Sequence, residues 1–370
     1  MAYYLRELGR SSIILEKAPH VAPAASGKSG GFLAREWGTG STVQLHQKGF
    51  DLHVEVAKKL GITSFRELGV LSVSSTGRRG LLHVSWLDRA SRTSLLDGAA
   101  AQVTPLELTE KLVESSGAEV RLGTTAVGVD LSDNDDAVRQ VTRVRCSDGS
   151  VIETDTLVIA AGPWSGVLVE DWFDVELPME GVRSTSIVFK GGGETVQREF
   201  KALFCDEDEH GCHTEVYPRP DGSLYLCGLG GSKYVKGDDL REGGACYNPA
   251  SVTADPLRVA AGLRSFRALS SLGDAEPAVT QACMRPLHPD ALPTMSYVPG
   301  VAGAFVSSGH NCWGILWSLV SGRAMAELVV QGKASIVDLR PFSAQRFTTG
   351  AKAKTARGRA MGETQVGEQW

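Results

Sequence analysis

Apolar positions near the start of the chain follow first a helical and then a strand-like period. Across residues 2–8 they fall on one helical face, and Gly9 stands where a helix commonly ends. Residues 12–16 form a short apolar run that closes on Glu16 and is typical of a buried strand. The pattern therefore predicts a helix, a tight glycine turn and a strand that ends in an acid.

The same change of period continues along the chain and predicts an α/β protein. Helical spacing recurs at residues 42–60, 103–115 and 315–331. Short apolar runs typical of strands occur at residues 70–73, 117–122, 156–164 and 303–308. Between about 166 and 280 the pattern is mostly strand-like, with strands expected at 184–189, 215–217 and 223–229.

The composition is that of a globular protein with two or three domains. The chain has 370 residues, of which 42% are hydrophobic and 22% charged, and a domain takes about 150 residues. Its longest apolar runs are shorter than the roughly 18 residues of a membrane span, so we expect none. Seven widely spread cysteines without a CxxC pair predict reduced thiols and a cytoplasmic location.

The charge balance narrows the range of partners. Lys and Arg total 38 against 43 Asp and Glu, a net charge of −5, so we expect no nucleic-acid partner. A small anionic substrate remains compatible, because a single Arg can bind it. Residues 205–213 mix acids, thiols and imidazoles, but their spacing matches no standard zinc pattern. We predict a solvated acidic loop there and no metal.

The first helix, turn and strand match the second half of a dinucleotide-binding βαβ unit. In such a unit an acid after the second strand binds the ribose hydroxyls, which is the role that Glu16 would have. The alternative is a solvated acid at a strand end. The small-residue loop of residues 24–31 offers many backbone N–H groups for a pyrophosphate, and its alternative is a surface loop.

A second candidate region lies near the end of the chain. The strand at 304–308, the turn at 309–314 and the helix after it form a unit whose helix N-terminus favours an anion or a reduced flavin ring. The alternative is an ordinary β–α connection. Arg285 lies in the proline-rich segment 283–293, where a rigid guanidinium suits a carboxylate ligand or, alternatively, a structural salt bridge.

Taken in order, these motifs resemble the flavin-dependent D-amino-acid oxidase family, which includes glycine oxidase and sarcosine oxidase. The resemblance extends from Ala2 to about Phe347. The matching segments are residues 2–8 with 14–17, 25–31, 158–164, 285–293 and 309–315 followed by Ser321 and Gly322. Each motif is weak alone, and their common order is what makes the match specific.

The resemblance implies an α/β fold made of two parts. One is an FAD-binding Rossmann-like domain of the glutathione reductase type, and the other is an antiparallel-sheet substrate domain. The FAD-binding domain is expected to be discontinuous, at residues 1–36, 100–166 and 281–347. The substrate domain would take residues 37–99 and 167–280, and residues 348–370 are expected to be a disordered tail.

The resemblance also implies roles for individual residues. Glu16 would bind the adenosine ribose, Val127 would contact adenine, and Arg285 would bind a substrate carboxylate. Residues along the pyrophosphate and flavin would be Ser26, Gly27, Lys28, Ser29, Gly30 and Gly31. Residues near the cofactor and its flavin edge would be Ala161, Gly162, Trp164, Gly309, His310, Asn311, Trp313, Gly314 and Ile315.

One segment is similar to the place where sarcosine oxidases attach flavin through a cysteine. By this likeness Cys283 would carry a thioether to the flavin, and the alternative is an ordinary buried cysteine. Those oxidases also use a lysine in the later turn to contact substrate. Leu316 stands in that place here, so the substrate pocket is expected to differ from theirs.

The implied activity is oxidation of a C–N bond in a small amino or imino acid by hydride transfer to flavin N5. The partners would be a carboxylate-bearing amine and oxygen or another electron acceptor. The family's first strand and GxGxxG loop, about 15–20 residues, do not occur in this sequence. We therefore also expect an N-terminal truncation or a degenerate relative, and the alternative function is a non-catalytic remnant or interaction module that binds FAD weakly or not at all.

Overall fold

The computed structural model describes residues 1–133 and 138–348. Apart from Thr348, the tail expected at residues 348–370 lies outside the described residues. The helices are α1 (Ala2–Glu7), α2 (Ala25–Lys28), α3 (Val43–Leu60), α4 (Pro105–Ser116), α5 (Ser165–Phe173), α6 (Gly193–Arg198), α7 (Gly237–Leu240), α8 (Pro256–Leu269), α9 (Gly314–Gln331) and α10 (Gln345–Thr348).

The strands alternate with these helices over much of the chain. They are β1 (Ile13–Glu16), β2 (Phe32–Ala34), β3 (Arg66–Glu67), β4 (Gly69–Ser74), β5 (Arg92–Leu96), β6 (Ala100–Gln102), β7 (Glu119–Leu122), β8 (Ala126–Asp133), β9 (Arg139–Cys146), β10 (Val151–Glu153), β11 (Leu157–Ile159), β12 (Glu180–Phe189), β13 (Lys201–Cys205), β14 (Glu215–Pro218), β15 (Leu224–Cys227), β16 (Lys233–Val235), β17 (Val279–Leu287), β18 (Thr294–Tyr297), β19 (Val301–Ala302) and β20 (Ala304–Ser308).

The strands of the first and last motifs each belong to a parallel strand pair. Strand β1 pairs in parallel with β7, and β11 pairs in parallel with β20. Within the described residues β1 has no other strand partner and neither has β11. Their remaining backbone edges border one large cavity. One backbone edge of β1 is thus left without a strand partner among the described residues.

The largest sheet is mostly antiparallel and forms the other side of the molecule. Strands follow the order β17, β12, β15, β14, β13, β4 and β5, and β16 pairs with β12 beside β15. One face packs on α8, whose Phe266 is fully buried among strand residues such as Leu203 and Leu226. The opposite face borders the same cavity, so the sheet separates a hydrophobic core from the cavity.

Helix α9 forms the centre of the second core. It packs against α3 and α1 through fully buried side chains such as Trp317 and Leu45. The segment Asn311–Gln331 is long and apolar enough to cross a membrane by length and composition, but 61% of its apolar window is buried inside the fold. Core packing accounts for that composition, so the segment is weak evidence for a membrane span.

The structure corrects two expectations about local structure. Helix α8 falls in the region expected to be mostly strand, where the Asp255 carboxylate accepts the Leu257 N–H at 2.9 Å and Pro256 opens the helix. The loop at 24–31 contains the single turn of α2.

We predict that Gly31 is required for the fold because two constraints meet there. Its φ of +76° favours glycine, and a Cβ would lie 1.8 Å from the Val103 carbonyl oxygen. Gly61 ends α3 at a similar φ of +62° with no atom within 4 Å of an added Cβ. Gly61→Ala should therefore cost only the left-handed strain, about 1–2 kcal/mol, whereas Gly31→Ala adds overpacking of at least about 2 kcal/mol.

Denaturant unfolding of the two variants beside the original chain measures this difference. Equal losses in the free energy of unfolding for Gly31→Ala and Gly61→Ala would contradict the predicted contact with Val103.

Candidate active site

The cavity between the two halves of the molecule has a volume of about 1870 Å³. That exceeds the roughly 300–1,000 Å³ of most small-ligand pockets and suits a long ligand. Its walls include the ends of β1 and β11, the turn before α9 and the polar face of the large sheet. Most of the residues singled out in the sequence therefore line one continuous space.

Glu16 and Val127 both line this cavity. The Glu16 carboxylate follows β1 and accepts the Ala18 N–H at 2.9 Å. Burial raises the pKa of this carboxyl, and the hydrogen bond from Ala18 acts in the opposite direction. Val127 is 53% exposed on the cavity wall. A carboxylate suits a ribose and an exposed apolar residue suits its base, and both line this cavity.

The predicted pyrophosphate loop contributes four of its six residues to the cavity wall. Ser26, Ser29, Gly30 and Gly31 line it, and Ser29 Oγ is buried without a hydrogen-bond partner among the described residues. An orphaned buried hydroxyl costs free energy unless a ligand satisfies it. The loop therefore fits an acceptor-rich group such as a pyrophosphate.

Three members of the predicted cofactor set do not line the cavity. A Cβ on Gly27 would lie 2.2 Å from the Ala22 carbonyl oxygen, and Lys28 Nζ instead donates to the Ala282 carbonyl at 3.3 Å. Gly309 packs so closely on His288 that a Cβ would lie 2.2 Å from its ring. These residues shape the two turns from behind the cavity wall.

The turn before α9 forms part of the cavity wall, with His310, Asn311, Trp313, Gly314 and Ile315 on its surface. No side-chain hydrogen bond from the described residues caps the start of α9, which continues from a single 3-10 turn at Asn311–Trp313. His310 donates to or accepts from Ser321 Oγ across 3.0 Å, and burial lowers the pKa of its imidazole to about 4. His310 is therefore neutral at neutral pH and acts as a structural support of this turn.

The turn after β11 forms another part of the cavity wall where a cofactor is predicted to bind. Ala161, Gly162 and Trp164 line the cavity, and Gly162 has a φ of +57°. The Trp164 indole N–H donates to the Cys246 carbonyl at 3.0 Å. This bond ties the turn to the segment that follows α7 and fixes the ring at the cavity wall.

Arg285 lies on β17 and faces the cavity without an ion-pair partner. Its guanidinium donates to Asn311 Oδ1 at 3.3 Å and to Ser184 Oγ at 3.1 Å. Among the described residues no carboxylate lies within 4 Å of it. The structural salt bridge considered from the sequence is therefore absent from this part of the chain, and the cation is available to an anionic ligand.

The cavity wall also includes four residues of β14 and β15 that the sequence analysis had not singled out. They are Glu215, Tyr217, Tyr225 and Cys227. The strand register places Glu215 opposite Cys227 and Tyr217 opposite Tyr225. The signal was present as alternation, since Glu215-Val-Tyr217 and Tyr225-Leu-Cys227 put polar or aromatic side chains on one face. Only the pairing of the strands reveals that this face meets a cavity.

Three cysteine thiols also line the cavity. Cys227 and Cys283 lie on neighbouring parts of the sheet, and Cys312 precedes α9 as the exposed cysteine among the seven. Burial raises the pKa of the Cys227 and Cys283 thiols. In the described part of the chain no group of three His, Cys, Asp or Glu residues has an arrangement suited to a metal ion.

Comparison with known proteins relates this architecture to flavoenzymes. A family model described as FAD dependent oxidoreductase matches residues 1–328. A glycine oxidase of Pseudomonas aeruginosa is 28% identical over 192 residues, which are 52% of this chain and 46% of that protein. The chain thus spans about half the length of this curated relative.

Solved structures give the same result for the fold. The L-amino acid deaminase from Proteus myxofaciens, in complex with anthranilate, has a TM-score of 0.77 at 16% identity and covers 94% of this chain and 90% of its own. Glycine oxidase from Geobacillus kaustophilus has a TM-score of 0.71 at 21% identity, with 93% and 94% covered. These similarities confirm the predicted fold class.

The family match covers most of the chain, and the cavity offers an orphaned hydroxyl and a ribose-type acid to one long ligand. The order of the sequence motifs had predicted this relationship. The chain belongs to the FAD dependent oxidoreductase family, whose cofactor is FAD.

Proposed function

We propose that this protein binds FAD in the large cavity and oxidises the C–N bond of a small amino or imino acid. The observation that carries the proposal is Arg285, a cavity-lining cation whose hydrogen bonds go to Asn311 and Ser184 and not to a carboxylate. Arginine binds carboxylates through two parallel N–H donors. A substrate carboxylate would supply the missing partner.

The cavity residues divide between the parts of the cofactor. Glu16 would bind the ribose, Val127 would contact adenine, and Ser26, Ser29, Gly30 and Gly31 would lie along the pyrophosphate. The flavin would contact Ala161, Gly162, Trp164, His310, Asn311, Trp313, Gly314 and Ile315. When bound, FAD supplies the hydride acceptor for the reaction.

The protein's own contribution would be to orient the substrate. Asn311 and Ser184 hold the guanidinium of Arg285 from two sides, so a bound carboxylate would be held in one position. His310 is neutral and engaged with Ser321, which makes it unsuited to accept a proton from the substrate. The similar proteins include a glycine oxidase and an L-amino acid deaminase, and both agree with an amino acid as substrate.

Two alternatives from the sequence lead to different results in the same assays. A non-catalytic module would bind little FAD and reduce no acceptor. A flavin dehydrogenase would reduce an artificial dye with amino acids but form no hydrogen peroxide, whereas an oxidase would form it. We propose that the protein is an enzyme, and the hydrogen peroxide measurement shows whether oxygen is its electron acceptor.

Replacing the proposed carboxylate anchor should weaken substrate binding. With a panel of glycine, sarcosine and D- and L-amino acids on FAD-loaded protein, Arg285→Ala should raise KM by at least about tenfold, since a charge-assisted hydrogen bond contributes roughly 1.5–3 kcal/mol. The matched control is Arg183→Ala, because Arg183 on β12 bonds the Thr253 carbonyl away from the cavity. An unchanged KM in Arg285→Ala would contradict the assignment.

Bound FAD should protect the exposed cavity cysteine from alkylation. Cys312 lines the cavity, and alkylation needs an accessible thiol. At mildly alkaline pH iodoacetamide should label Cys312 before the buried Cys205, and saturating FAD should slow the labelling of Cys312 several-fold. Mass spectrometry of the labelled peptides measures both, with Cys205 as the internal control. Labelling of Cys312 that is indifferent to FAD would contradict binding in this cavity.

The proposed thioether at Cys283 has a direct chemical test. Cys283 is 8% exposed on the cavity wall, and burial raises the pKa of its thiol, which disfavours the nucleophilic thiolate. Acid precipitation of FAD-loaded protein separates the two possibilities. Flavin that stays with the precipitate, and is lost from it in Cys283→Ser, would support the covalent link. Flavin released into the supernatant by the original chain would exclude it.

A further inference from the structure

Glu215 places a carboxyl group on the cavity face of the large sheet. One oxygen, Oε2, accepts the Tyr217 hydroxyl hydrogen and the Cys227 thiol hydrogen, the latter at 3.3 Å. Within the described residues no hydrogen bond engages Oε1, although the side chain lines the cavity. The carboxyl is therefore held by two neighbours while one of its oxygens remains available.

The register of the sheet puts Glu215 and Arg285 on the same face. Glu215 pairs with Cys227, and Arg285 pairs with Val182 on β12, which lies between β15 and β17. Directly paired residues point to the same side of a sheet, as do residues two apart along a strand. A carboxyl and a guanidinium thus share one wall of the cavity, separated by the strands between them.

The two opposite charges do not neutralise each other by direct contact. Neither Glu215 nor Arg285 has an ion-pair partner within 4 Å among the described residues. The positive charge of Arg285 still lowers the pKa of the Glu215 carboxyl, although burial, the larger influence, raises it. Arg285 and Glu215 therefore line the same cavity without contacting each other directly.

Among the described residues no Lys or Arg side chain forms an ion pair with Glu215. The His213 imidazole, two residues earlier on the approach to β14, lies 3.4 Å from Glu207. Burial raises the pKa of Glu215, and a charged His213 lowers it, after the influence of Arg285. Tyr217 and Cys227 are neutral donors, and burial raises the pKa of both. A buried carboxylate is costly without a cation, so a positively charged ligand would remove that cost.

We propose that Glu215 binds the amino group of the substrate while Arg285 binds its carboxylate. The pocket would then select a zwitterion, because only a ligand with both charges satisfies both groups. This inference rests on the proposed function and assigns the amine-binding end of the same site. It makes Glu215 a specificity-determining residue and distinguishes amino acids from simple carboxylic acids.

The test compares two probes that differ in the amino group. Alanine, as both enantiomers, and propionate are titrated into FAD-loaded protein, and the dissociation constants are read from flavin absorbance changes and from calorimetry. For the enantiomer that binds more tightly, Glu215→Gln should weaken alanine binding by about tenfold or more, as loss of a charge-assisted hydrogen bond does. Propionate binding should change less than about twofold.

Two further variants make the result decisive. Glu207→Gln, a partly exposed carboxylate near His213, is the matched control and should leave both probes unaffected. Arg285→Ala should weaken both probes, because each carries the carboxylate. Retained propionate binding in Glu215→Gln also shows that this isosteric variant is folded.

The outcomes separate the two proposals. If Glu215→Gln leaves alanine binding unchanged, or weakens alanine and propionate equally, the role of Glu215 is overturned while the role of Arg285 stands on its own variant. If Arg285→Ala leaves propionate binding unchanged, the proposed function is overturned as well. Original protein that binds neither probe would contradict both.

Discussion

The close packing of a small-residue loop against the large sheet determines how the two halves of the molecule meet. A Cβ on Gly30 would lie 2.4 Å from the Tyr217 ring, so the backbone approaches as only glycine allows. The Gln281 side chain adds a hydrogen bond to the Lys28 carbonyl at 2.9 Å. These contacts join the loop to β14 and β17, the strands that carry the charged residues of the cavity. The position of each charge relative to the loop depends on them.

The second constraint is electrostatic and follows from the first. The sheet holds Glu215 and Arg285 on one face, where both line the cavity and are partly buried without pairing with each other. Partly buried charges without an ion-pair partner contribute little to stability, so a ligand explains their presence in one cavity better. The function of this region is therefore inferred from polar groups that have no protein partner in the described part of the chain, including Ser29 Oγ.

Strand ends provide the cofactor side of the same chamber. Glu16 ends β1, Gly162 follows β11, and His310 follows β20, and all three line the cavity. In open α/β sheets ligands bind beyond the carboxyl ends of strands, where turns and helix starts offer backbone N–H groups. The fold therefore collects residues that are up to about 300 positions apart into one site, in keeping with the family to which the chain belongs.

The sequence by itself determined the helices and strands with strong periods and the order of the motifs. Helix α3, for example, was predicted over 42–60 and spans Val43–Leu60, because a one-sided apolar stripe is a local property of the chain. The order of the motifs likewise identified the family and singled out Arg285 as a candidate ligand-binding residue. Only the tertiary structure decided that Gly309 lies behind the cavity wall and that Glu215 faces the cavity. Those facts depend on cross-strand register and on packing between distant segments, which no local pattern encodes.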